Sequence, residues 1–62
     1  MNEKLSPGCM IAWAFSNMEN AGEKHSIKTI RDCMELAPTY PEAWTLEDGE
    51  KFVRDYLGSF YP

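Results

Sequence analysis

Cys9-Met10-Ile11-Ala12-Trp13-Ala14-Phe15 is the stretch on which the fold turns. Seven apolar residues follow one another without a polar break, so no regular conformation gives the segment a polar face. It is either the centre of a core or, in part, a surface meant for a partner. Ser6-Pro7 stands just before it. Serine is a good helix N-cap, and proline suits the first helical position, where a backbone N–H has no intrahelical acceptor. Alanine and methionine in the run favour helix. Ile11, Phe15 and Met18 recur at i, i+4 and i+7, one stripe of a helix. A buried strand is the competing reading of so short a run. The cap and the continuation through Ser16-Asn17-Met18-Glu19 favour a helix over about 7–20.

Working outward, Asn20-Ala21-Gly22 breaks the pattern. Gly22 suits the residue after a helix C-cap; alternatively, Asn20 and Glu23 form a capping box that opens the next helix. The second helix is expected to run to about Ala37, stopped by Pro38. Its inward stripe would be Ile27, Ile30, Met34 and Ala37, with Lys28–Asp32 and Arg31–Glu35 as i,i+4 pairs outside. Residues 38–45 read as a stiff connection. Tyr40 and Trp44 staple it to the core, and there is room for one extra turn near 41–44. Thr45 then caps a third helix with Asp48 at its N3 position, and Glu47 complements the helix dipole. Leu46, Val53, Tyr56 and Phe60 form the third stripe, flanked by Phe52 and Leu57. Glu47–Lys51 and Glu50–Arg54 pair outside it, and Gly58 is the expected C-cap. Residues 1–5 read as frayed and 6–62 as a single helical domain. The expected fold is all-α: a small three-helix domain, a helical hairpin with the third helix packed across it and the first helix central.

Sixty-two residues bound the chain to one domain. A domain of that size buries only about 60% of its unfolded surface, so large aromatic side chains matter to its core. The apolar content of 44% and aromatic content of 13% are those of a globular chain. The net charge of −4 argues against general nucleic-acid binding, which needs an excess of Lys and Arg. It also disfavours anionic membrane surfaces. No apolar run approaches the roughly 20 residues of a membrane span. Pro7 and Gly8, with Glu3 before them, do not suit a signal peptide, and the expected location is the cytoplasm.

No catalytic or cofactor chemistry is legible. His25 is the one histidine, set among charges, and reads as an exposed, solvated ring. Cys9, Cys33 and His25 are too few and too scattered for a structural zinc site. Gly8, Gly22, Gly49 and Gly58 are isolated, so no phosphate loop exists. Neither an enzyme, a metal, a cofactor nor a small-molecule substrate is expected. In an antiparallel hairpin turning near 20–22, Cys9 and Cys33 lie at similar distances from the turn. They are thus a candidate thiol pair, though two small buried side chains is the preferred reading.

The remaining features point to a partner. The candidate surface comprises Trp13, Met10, Trp44, Phe60 and Tyr61 with the acids Glu42, Glu47, Asp48 and Glu50. A candidate basic face comprises Lys24, Lys28 and Arg31. The leading expectation is a small acidic, non-enzymatic protein-binding module: a regulator, inhibitor or accessory subunit of the kind small bacterial or phage reading frames encode. The alternatives are a homodimeric structural helical domain, whose partner is a second copy, and a nucleic-acid-associated protein using the basic face.

Overall fold

The computed structural model describes residues 3–39 and 42–60, with only the backbone of Phe60. It contains three helices: α1 (Pro7–Asn20), α2 (Ile27–Glu35) and α3 (Leu46–Phe60). The fold is a compact all-α domain in which α1 packs against both α2 and α3. No strand occurs among the described residues.

The helix ends follow from short-range chemistry. Ser6 Oγ accepts from Cys9 N–H at 3.4 Å, and Pro7 occupies the first turn. At the other end Gly22 adopts φ +96°, the left-handed region that glycine enters without steric cost. Gly22 N–H reaches Glu19 O at 2.9 Å and Glu23 N–H reaches Met18 O at 2.8 Å, the paired bonds of a Schellman turn. Gly22 therefore closes α1, and the Asn20–Glu23 box does not form. α2 starts at Ser26, whose Oγ accepts from Thr29 N–H at 3.1 Å. α3 opens with a reciprocal box: Asp48 N–H donates to Thr45 Oγ1 at 3.2 Å, and Thr45 N–H to Asp48 Oδ2 at 3.0 Å. α3 continues through Gly58 to Phe60, so Gly58 is not its cap.

The core is built around α1. Ile11, Ala14, Phe15 and Met18 of α1 meet Cys33 of α2 and Val53 and Tyr56 of α3. Ile30, Ala37, Trp44, Phe52 and Leu57 close its edges. The α1–α3 crossing depends on Gly49. A Cβ there would stand 2.6 Å from Met10 O and 2.8 Å from Met10 Cβ, so only a bare Cα lets the two helices touch. Met10 is fully buried beneath this crossing, which removes it from the candidate partner surface.

Leu5 and Trp44 join in a single antiparallel bridge: Leu5 N–H donates to Trp44 O at 2.9 Å, and Trp44 N–H to Leu5 O at 2.8 Å. Leu5 is thus held rather than frayed. The turn expected near 41–44 is not present over the described residues 42–44, where Trp44 is held in the bridge and Glu42 N–H bonds back to Thr39 O at 3.2 Å; position 41 lies outside the described residues. The expected staple by Tyr40 lies outside the described residues.

α2 is shorter than expected and turned differently. Cys33, not the Ile27–Met34 stripe, is its one buried side chain, with Ile30 partly covered. Ile27 is 74% exposed and Met34 37%. The charges Lys28, Arg31, Asp32 and Glu35 occupy one arc of the helix. The centre of the uncharged arc passes between Cys33 and Ile30, leaving Ile27 and Met34 at its margin. The ion pairs are also redistributed. Lys28–Asp32 forms at 2.7 Å, but Lys51 takes Asp55 at 3.5 Å rather than Glu47, and Arg54 takes Glu23 rather than Glu50. Arg31 and Glu35 do not pair with each other.

Candidate functional site

The opening apolar run divides by face. Met10, Ile11, Ala14 and Phe15 are buried, whereas Cys9, Ala12 and Trp13, with Ser16 one turn on, face outward. The run therefore has an uncovered flank. Trp13 is its only bulky side chain, 43% exposed among small neighbours. Cys9 stands on this flank as a free, exposed thiol, and Cys33 is free and buried. The two cysteines do not share an environment, which removes the thiol pair and the reading of Cys9 as buried. Burial pushes the Cys33 thiol up to about 11, making it a poor nucleophile.

A second surface gathers part of the predicted acidic cluster. Glu42, Trp44 and Asp48 line a shallow groove of about 340 Å³ with Lys51, Phe52 and Asp55. Trp44 is half-buried against Phe52, ring centroids 5.1 Å apart at 50°. Asp48 is committed to the α3 cap. Glu47 and Glu50 are exposed on α3 but do not line this groove. The Phe60 side chain and Tyr61 lie outside the described residues.

The predicted basic face is not the face of a single helix. Lys24 lies in the connection before α2, whereas Lys28 and Arg31 are on the helix. His25 is not a free, solvated ring either. It stacks edge-on against Phe15, centroids 5.5 Å apart at 72°, and lies 3.1 Å from Glu23 Oε2. An ionised carboxylate only accepts, so Nε2–H donates. Arg54 Nη1 reaches the same carboxylate at 3.3 and 3.4 Å. Glu23 thereby links the α1–α2 connection to α3. The His25 hydrogen bond does most to hold its carboxyl below the usual value; burial opposes it, and the hydrogen bond and charge of Arg54 add to the lowering.

Sequence reasoning missed one surface. Ile27, Ile30, Arg31, Met34 and Glu35 line an outward apolar groove on α2 of about 380 Å³. The charge-free arc described above was the available signal. Among the described residues no three His, Cys, Asp or Glu gather to hold a metal ion, and no helix is long and apolar enough to cross a membrane. Comparison of the chain with protein-family models, with curated proteins and with solved structures finds no match.

Proposed function

We propose that this chain is a small acidic protein-binding module that acts without chemistry of its own, as a regulator, inhibitor or accessory subunit. The observation that carries the reading is Trp13. A helix that buries one face so completely leaves a tryptophan partly exposed on another, on the same uncovered flank as Cys9, Ala12 and Ser16. A large amphipathic ring among small neighbours is the form of an interface anchor, since it fills a partner's pocket without side chains to clear away. The net charge of −4 suits a partner with a basic rim around that pocket.

The test is affinity capture from the native host with the wild-type chain and with Trp13→Ser. A partner retained by the wild type and lost by the variant, at an unchanged thermal midpoint, supports the reading. Equal retention by both, or no retained protein at all, overturns it.

A further inference from the structure

We infer that the outward face of α2 binds a second copy of the same chain, the two α2 helices lying antiparallel across a two-fold axis. Ile27 and Met34 stand exposed one above the other, seven residues apart, with Ile30 beside them at the edge of the core. This surface lies on a different helix from Trp13 and does not depend on the reading given to that residue.

Charge selects the occupant. Along α2 the bases come first, Lys28 and Arg31, and the acids follow, Asp32 and Glu35. All four lie on one flank of the Ile27–Met34 ridge. A two-fold axis perpendicular to an antiparallel helix pair keeps equivalent flanks on the same side. The basic half of each helix then falls opposite the acidic half of the other, while Ile27 of one copy meets Met34 of the next. Parallel pairing, whose two-fold axis runs along the helices, would put the two charged flanks on opposite sides of the seam, where they could not meet. Among the described residues Arg31 and Glu35, both on the groove, make no ion pair, which leaves them available to a second copy. A nine-residue helix is only about 14 Å long, so the contact is small and the dimer weak.

Sedimentation equilibrium of the full chain from about 5 µM to 1 mM tests this. The weight-average mass should rise from 7.1 kDa toward twice that value, and the rise should weaken with added salt. Ile27→Glu and Met34→Glu should hold the chain at the monomer mass; both positions are exposed, so circular dichroism should show an unchanged fold. Arg31→Glu and Glu35→Arg should each weaken association by about tenfold or more. An equimolar mixture of those two variants should recover it, because each supplies the charge the other lost. A monomer at 1 mM overturns the inference. So does a dimer indifferent to Ile27→Glu and Met34→Glu, which would lie elsewhere. Failure of the mixture to recover association overturns the antiparallel arrangement.

Discussion

α1 has two neighbours, and they hold it in different ways. Against α3 the contact is backbone-close: Gly49 lies on Met10, and Val53 and Tyr56 are buried on the same stripe. Against α2 the contact rests on one buried side chain, Cys33, with Ile30 partly covered. A close seam is intolerant because dense interiors have no slack to absorb an added atom. A shallow seam is tolerant and leaves apolar surface over. The apolar excess of the chain is thus not spread evenly but concentrated where packing is thin.

The two glycines of α3 provide the most forceful attack on this contrast. Gly49→Ala adds a methyl group against backbone that cannot swing away. It should cost about 2–3 kcal/mol even after the helix-propensity gain of about 1 kcal/mol, lowering the thermal midpoint by more than about 10 °C. Gly58→Ala meets nothing within 4 Å and should raise the midpoint by a few degrees. Similar shifts for both would mean that the α1–α3 seam is not close.

Alkylation of the two thiols probes the other seam. Cys9 should react at once, and Cys33 about 100-fold more slowly or slower, since burial and a thiol pKa near 11 both withhold the thiolate. If α2 detaches on its own, the Cys33 rate should barely change in Gly49→Ala although global stability falls. A rate that climbs in step with the loss of stability would show that both seams open together.

The smallest effect concerns the link between them. Glu23 joins the α1–α2 connection to Arg54 of α3, and its folded carboxyl titrates lower than the unfolded one. Its stabilising contribution is therefore complete above the unfolded pKa, about 4.3, and is lost as pH falls through the lower folded value. The midpoint difference between wild type and Glu23→Gln should be visible at pH 7 and vanish in acid once the carboxyl is protonated in the folded state as well. A difference that persists in acid would assign the effect to something other than the charge.

What could be read from residues alone was what is decided within a few positions. Ser6-Pro7, Gly22 and Thr45 with Asp48 each satisfy or terminate a helix end through partners at most four residues away, and the structure places them there. Decisions that span the fold were hidden. Lys51 has an acid one turn away on either side, and nothing local chooses Asp55 over Glu47. A glycine in a helix looks the same whether it meets another helix, as Gly49 does, or open space, as Gly58 does. Trp13 was named among the surface candidates and is exposed; Met10, three residues earlier, was named with it and is sealed. The facing of α2 was missed because a stripe of large side chains was preferred to the centre of the uncharged arc, where a small cysteine sits.

The bridge between Leu5 and Trp44 bears on the order of assembly. It joins positions 5 and 44, and Met10 meets Gly49 across an equal span, so the tighter seam is also the one most distant along the chain. Helices α1 and α2 are joined by six residues and find each other early, but gain little by doing so. The search for α3 must close a loop of roughly forty residues before any of its burial is returned. The transition state for folding should therefore contain the Met10–Gly49 crossing, with α2 still loosely attached.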